Sequence, residues 1–305
     1  MTRYREICAD LAGRISAGDL AEGAELPGVR ELAHRFGSTS STVGRAERAL
    51  AEAGVIVTAD RRRPRVAPDG AVAARRFLNA GRVFRLAGSD DPALDVVCRR
   101  IGRSLQIVDA EGSFGGLRAL RQGRADGAAV HLMHHTGVYN APFATGLLRG
   151  LRPHLIHLWR REQGLLVPPG NPRGLRTAAD LAGLRVAKRR PGSGTRVLFD
   201  RLLLAEGCDP DAVPGPETGS HLEAALAVAA GTVDAGLGVR SVARDLDLGF
   251  VPLVQEEYDV VLTEAALDAA APLVAALHDP ALRASIEELG GYDTADSGKV
   301  DELGP

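Results

Sequence analysis

The sequence predicts two units: a helix-rich head that ends in a short β-hairpin, and a larger α/β body built on a parallel sheet. Three observations carry this expectation. The chain has 305 residues, more than one ordinary core needs and enough for two domains. Apolar residues recur at helical spacing over the first 68 positions, whereas beyond residue 83 short apolar strands alternate with helices. Charge divides at nearly the same place. Residues 1–85 hold 15 arginines against 10 acidic residues, a net charge of +5, and the remainder carries −7, within an overall −2. A basic head on an acidic body suits a polyanionic partner at the head alone.

Each element of the head follows in order. Ile7, Leu11 and Ile15 form one helical stripe that Gly18 ends. A turn-rich link, Ala21–Pro27, leads to a short helix over Val29–Phe36 that Gly37 breaks. Ser38-Thr39-Ser40-Ser41 offers N-cap oxygens for a third helix from about Thr42 to Ala53, with Val43, Ala46 and Leu50 inward. Val55–Thr58 and Pro64–Ala67 read as two strands around a basic tip, Arg61-Arg62-Arg63. Two short helices across a tight turn followed by a hairpin make a winged helix-turn-helix, whose second helix fits the DNA major groove. Arg45 and Arg48 lie near the exposed face of that helix. The wing arginines suit phosphates or a minor groove.

These residues resemble the GntR family of bacterial transcription regulators. The matching string is Gly23-x-x-Leu26-Pro27-Gly28-Val29-Arg30-Glu31-Leu32-Ala33, then Phe36-Gly37, Thr42-Val43-x-Arg45-Ala46 and Leu50-x-x-x-Gly54. The resemblance covers residues 1–68. It implies that Arg30 touches the DNA backbone, and that Ser40, Ser41, Thr42 and Arg45 read bases. Arg48, Arg61, Arg62 and Arg63 complete the candidate DNA set. It also implies a homodimer on a palindromic double-stranded operator. Where the family wing usually carries glycines, this tip carries arginines.

Residues 69–82 are Ala- and Arg-rich and read as a linker, or as a helix whose Phe77 and Leu78 pack on the body. The body starts at Val83 with a strand running into Gly88-Ser89-Asp90-Asp91. A helix bearing Leu94, Val97 and Ile101 follows, then strand Leu105–Val108, a helix after Gly112-Ser113, and strand Ala128–Val130 ending at His131. Ligands in such sheets bind at the C-terminal strand ends, where Ser89, Ser113 and His131 fall. Leu155–Trp159 and Gly164–Val167 read as two further strands, and Leu184–Ala187 as another. Gly192-Ser193-Gly194-Thr195-Arg196 then stands directly before a helix from Val197 to Glu206, with free N–H groups and hydroxyls suited to an anion. Leu222–Ala230 is a helix, Gly231–Gly238 turns into a strand, and Phe250–Leu253 precedes Glu256–Leu262, which reads as a return to the first lobe.

The body resembles type II periplasmic solute-binding proteins, in the form fused to regulators. The carrying strings are Leu166–Pro172, Asp180-Leu181-Ala182-Gly183, Gly192–Arg196, Ala224–Gly236 and Leu289–Thr294 with Ser297-Gly298. The resemblance implies a two-lobed domain over residues 83–305, lobe 1 about 83–138 and 256–305, lobe 2 about 139–255. The front half, with Gly123-x-Ala125-Asp126, His131 and Tyr139-Asn140, is also similar to tungstate/molybdate receptors. The expected effector is therefore a small oxyanion such as molybdate or tungstate. Ser89, Asp90, Ser113, His131, Tyr139, Ser193, Gly194, Thr195 and Arg196 are its candidate ligands. An organic effector stays open, since Asp90, His131, Tyr139 and Glu257 suit an amine, a sugar or a sulfonate. Asp90 and Asp91 would repel an oxyanion unless they point elsewhere.

Composition excludes several other classes. At 45% hydrophobic and 25% charged residues, the chain is neither disordered nor fibrous. No run approaches the roughly 18 apolar residues of a membrane span, and the polar stretch Met1–Glu6 is no signal peptide. Cys8, Cys98 and Cys208 form no CxxC motif, as for reduced thiols in a cytoplasm. Only two lysines exist, Lys188 and Lys299, and no Walker A motif is present. That counts against a P-loop and against the pyridoxal-phosphate bodies that some GntR-headed chains carry, which need a Schiff-base lysine. The expected protein is not an enzyme and carries no cofactor beyond its effector. His131-x-x-His134-His135 is the only metal-like spacing, and no Cys or nearby carboxylate completes it, so no metal site is expected.

Overall fold

The computed structural model describes residues 3–59, 62–79, 82–109 and 111–304, which divide into two compact units at Arg82/Val83. The head comprises α1 (Arg3–Ser16), α2 (Val29–Arg35), α3 (Ser40–Glu52), β1 (Ile56–Val57), β2 (Arg65–Val66) and α4 (Gly70–Asn79). Its core is the stripe read from the sequence, Ile7, Leu11 and Ile15, closed by Leu26, Leu32, Val43, Ala46 and Leu50. Thr39 caps α3, its hydroxyl accepting from the Thr42 N–H at 3.3 Å. β1 and β2 pair antiparallel, Ile56 opposite Val66.

Residues 69–82 correct the expectation of a linker. Ala74 of α4 is fully buried in the head core, with Ala73 and Phe77 half-buried against it, while Leu78 is exposed. Small side chains that read as linker composition are what lets α4 lie close to its neighbours. Gly70 shows the same logic: a Cβ there would meet the Val55 carbonyl oxygen at 2.7 Å and Val66 Cγ1 at 2.8 Å.

In the body, β3 (Phe84–Gly88), α5 (Pro92–Ile101), β4 (Leu105–Asp109), α6 (Gly112–Arg121), β5 (Gly127–Val130) and α7 (Ala141–Leu147) come first. The long strand β6 (Pro153–Val167) follows. Then come β7 (Val186–Arg189), α8 (Gly194–Ala205), β8 (Glu217–Thr218), α9 (His221–Ala229), β9 (Ala235–Val239) and α10 (Arg240–Asp245). A second long strand, β10 (Gly249–Thr263), leads to α11 (Leu267–Leu277), α12 (Pro280–Glu287), β11 (Tyr292–Asp293) and β12 (Val300–Glu302). The sheet order is β4-β3-β5-β10-β6-β9-β7-β8, with β11 and β12 also paired to β6. β3 runs parallel to β4 and β5, and β7 to β8 and β9. The antiparallel pair β6/β10 joins these two parallel halves. This is a two-lobed α/β domain behind an N-terminal helix-turn-helix unit.

Two boundaries move. The two strands expected at 155–159 and 164–167 are one 15-residue strand, and the segments 250–253 and 256–262 likewise lie in a single 15-residue strand. Leu155 and Ile156 pack in lobe 1 with Val260 to Leu262, whereas Leu165 to Val167 pack in lobe 2. α7 also belongs to lobe 1, through Ala144 and the neighbouring Leu148. The lobes therefore meet within β6 and β10, not at residue 138. The polar stretch Arg160-Arg161-Glu162-Gln163, left between the two expected strands, is the crossing itself. Arg161 and Gln163 are fully buried there.

Candidate functional site

Strand register builds the floor of the cleft between the lobes. Glu256 sits directly opposite Arg161 across the β10/β6 pair, and Gln163, two residues on, shares that face. Arg161 Nε donates to Glu256 Oε1 at 2.7 Å, and Nη1 donates to Asp91 Oδ2. Gln163 Nε2 donates to the same Glu256 oxygen at 2.5 Å and to Thr195 Oγ1 at 3.0 Å. Burial alone would raise the Glu256 carboxyl, but His131 and Arg161 beside it outweigh that and hold it down at about 2. Below the guanidinium lies an aromatic stack. Arg161 is 4.5 Å from the Tyr258 ring centroid, Trp159 stacks on Tyr258 at 5.6 Å, and His131 at 5.7 Å.

Lobe 1 contributes hydroxyls after β3 and β4, Ser89 and Ser113, and His131 after β5. Gly88 allows the close approach of β3 to β5, because a Cβ there would meet the Ala129 oxygen at 2.3 Å. Gly116 does the same for α6, where a Cβ would lie 2.5 Å from Gly88 Cα. The result brings Ser89 Oγ within 2.9 Å of Ser113 Oγ, and the His131 N–H donates to Ser113 Oγ at 3.2 Å. His131 turns its Nδ1 to Glu256 Oε2 at 3.1 Å.

Lobe 2 contributes Arg189 at the end of β7, the start of α8 and the start of α9. Gly194 lies so close to His131 that a Cβ would sit 2.7 Å from the His131 carbonyl oxygen. Arg189 Nη2 donates to Asp90 Oδ1 at 2.7 Å and to the Gly219 oxygen at 2.8 Å. Ser193 is the N-cap of α8. It accepts from the Arg196 N–H and donates to the Arg190 oxygen, so its hydroxyl is engaged in the cap.

Asp90, Ser89, Ser113, His131, Gly194 and Thr195 are thus gathered by the fold around one cleft. Both acids of the first loop point at arginines: Asp90 at Arg189, and Asp91 at Arg161 while also capping α5. Arg196 is a correction. Its partners are Asp200 at 2.8 Å, one turn along α8, with Glu217 and Asp211 beyond, rather than the cleft hydroxyls.

Several buried polar atoms of this region have no hydrogen-bond partner among the described residues: Arg189 Nε, Arg161 Nη2, Gln163 Oε1, His221 Nδ1 and Tyr139 Oη. Arg161 Nη2 lies 2.7 Å from Glu256 Oε1, but not in hydrogen-bonding alignment. Burial pushes His221 well below its ordinary value, and the nearby Arg189, Arg161 and His131 add to that, so it stands neutral. Burial, with Glu256 and Glu257, raises Tyr139 and keeps it a phenol. Unpartnered buried polar atoms cost about 1–3 kcal/mol each; a ligand's acceptors would relieve the two guanidinium N–H groups, whereas Gln163 Oε1 needs a donor.

Arg161, Gln163, Arg189, Glu256 and His221 escaped the sequence reading, and Asp91 was read only as a repelling charge. The available signal was a charged residue and an amide two apart, Arg161 and Gln163, inside an apolar run. The spaced histidines have separate partners: His134 Nδ1 is 2.9 Å from Thr136 Oγ1, and its ring lies 3.9 Å from that of His135. Among the described residues no group of three or more His, Cys, Asp or Glu could hold a metal ion.

On the head, Arg30, Ser40, Ser41, Arg45, Arg48, Arg62 and Arg63 are exposed, and Thr42 is half-buried with its hydroxyl 3.0 Å from that of Thr39. Arg45 stacks its guanidinium 4.5 Å from the Tyr4 ring of α1, which pre-orients it at the third helix. Arg61 lies outside the described residues.

Comparison with known proteins agrees with this division. Residues 3–66 match the model of the bacterial regulatory proteins, gntR family, and residues 103–279 match that of the PBP superfamily domain. An uncharacterized protein of Bacillus subtilis (strain 168), YvgK, is 32% identical over 228 residues, covering 72% of this chain and 74% of that protein. Similar solved structures include the sulfate-binding protein SubI from Mycobacterium tuberculosis H37Rv (TM-score 0.49, 16% identity, 70% of this chain and 86% of that one). Holo ArgBP from T. maritima is another (TM-score 0.44, 17% identity, 68% and 95%). Among the described residues no helix is long and apolar enough to cross a membrane.

Proposed function

Because the chain belongs to the PBP superfamily and carries a gntR-family helix-turn-helix at its N-terminus, we propose that it is a transcription regulator whose body closes on a small oxyanion and thereby alters DNA binding by the head. Molybdate and tungstate are the effectors of choice. The observation that carries the anion reading is the pair of buried guanidinium groups with unpartnered N–H donors, Arg161 and Arg189, beside the Ser89–Ser113 hydroxyl pair. Donors preorganised in a cleft bind an anion without matching its full charge. Ser89, Ser113, Thr195 and the N–H groups of Gly194 and Thr195 would complete the shell, with Tyr139 and His221 at its edge.

The head would bind operator DNA as a homodimer. Arg30, Arg62 and Arg63 would lie on phosphates, and Ser40, Ser41, Thr42 and Arg45 at base edges, with Arg48 alongside. An effector shifts such an equilibrium only by binding one state better than the other. A thermal-shift screen tests the effector class with molybdate, tungstate, sulfate, amino acids, sugars and sulfonates. An oxyanion at 100 times its dissociation constant should stabilise the protein by about 2.7 kcal/mol. Stabilisation by an organic compound and by no oxyanion would replace this effector with that compound.

A further inference from the structure

We propose that Asp90 is a built-in competitor for the effector: it occupies Arg189, an incoming anion takes that guanidinium from it, and its charge sets the strength of anion binding. This rests on the anionic-effector reading above and deepens it.

The two arginines of the cleft are held in different ways. Arg161 is clamped by Asp91 and Glu256, and all three side chains are 0–1% exposed, so neither carboxylate has solvent to turn into. Arg189 is equally buried, at 5%, but its carboxylate partner Asp90 is 33% exposed. The Gly219 oxygen holds the Arg189 guanidinium from the other side, and its Nε is unpartnered. In this pair the cation is fixed and the anion is free to rotate away. A groove of about 400 Å³ has Arg189 in its lining, with Arg118, Arg190, Gly219, the acid Glu111 and Ser193, the cap of α8, among others, so Arg189 borders space that a small anion can enter.

Asp90 belongs to lobe 1 and Arg189 to lobe 2, so the pair bridges the lobes, and an anion replacing Asp90 must bridge them in its place. A carboxylate left within a few ångströms also repels that anion, by an amount that a low effective dielectric magnifies. Asp90 therefore weakens anion binding even though it braces the closed cleft.

Isothermal titration of the full chain with sodium molybdate and sodium tungstate tests this, alongside Asp90→Asn and Arg189→Gln. Asp90→Asn keeps the shape and removes the charge. The expected result is binding about tenfold tighter in Asp90→Asn and lost in Arg189→Gln. Unchanged or weaker binding in Asp90→Asn, with the natural chain binding, would overturn the competitor role and leave Asp90 a lobe bridge. Undiminished binding in Arg189→Gln would overturn it too. If none of the three proteins binds either oxyanion, the anionic-effector reading falls and takes this inference with it.

Discussion

At the scale of single residues, Arg161 concentrates the structure of the body. It sits at the crossing between lobes with no exposure, and two carboxylates and the Tyr258 ring surround it. Removing one member of a buried ion network leaves its partners uncompensated, at about 3–5 kcal/mol. Arg161→Ala should therefore lower the stability of the body by about that amount in a denaturant titration. A change below about 1 kcal/mol would show that the network contributes little. His157 gives a pH signature. Its hydrogen bond to Asp259, above all, raises it to about 9, against a smaller opposing effect of burial and with help from Asp301. A raised histidine stabilises the fold fully below its ordinary value near 6.5, and that contribution disappears as pH climbs through about 9. Melting temperatures taken across pH 6 to 10 should thus fall more steeply for the natural chain than for His157→Gln. Parallel curves would remove His157 from the account. On the head, Arg45→Ala should weaken duplex binding in a mobility shift, and unchanged binding would exclude Arg45 from the interface.

Elements explain what the sequence disclosed and what it hid. Helices with clear stripes were legible to within a turn: the α1 stripe Ile7, Leu11, Ile15 is buried as read, and α8 begins at Gly194 behind the Ser193 cap, ahead of the expected start at Val197. Strand ends were legible too, because Ser89, Ser113 and His131 follow apolar runs into polar turns. Hidden were β6 and β10. Periodicity treats a buried arginine as a break, and only the facing strand shows that Glu256 makes its burial tolerable. The partner of a buried charge lies 95 residues away in sequence, beyond any local pattern. α4 was legible only as one of two readings, since alanines that permit close helix packing also look like linker, and its packing in the head core was hidden. One element-level prediction follows from the α8 start. Gly194→Ala places a methyl within 2.7 Å of the His131 carbonyl, so the lobes must spread there. Overpacking of this kind should weaken oxyanion binding about tenfold or more, with Trp159, the sole tryptophan, as the fluorescent reporter. Affinity equal to that of the natural chain would show that closure does not pass through this contact.

For the whole molecule, the charge division noted at the start acquires a mechanism. The basic head carries exposed arginines, while in the acidic body three acids, Asp90, Asp91 and Glu256, are paired with Arg161 and Arg189 at the cleft. The central claim is that occupancy of the cleft alters DNA binding. Its direct test uses a duplex selected from a random library by the full chain, with DNA affinity measured by fluorescence anisotropy with and without saturating molybdate or tungstate. The account predicts a change of about fivefold or more in the dissociation constant, as expected of a coupling above roughly 1 kcal/mol, and loss of that change in Arg189→Gln. Identical DNA affinity with and without an oxyanion that demonstrably binds the body would contradict it.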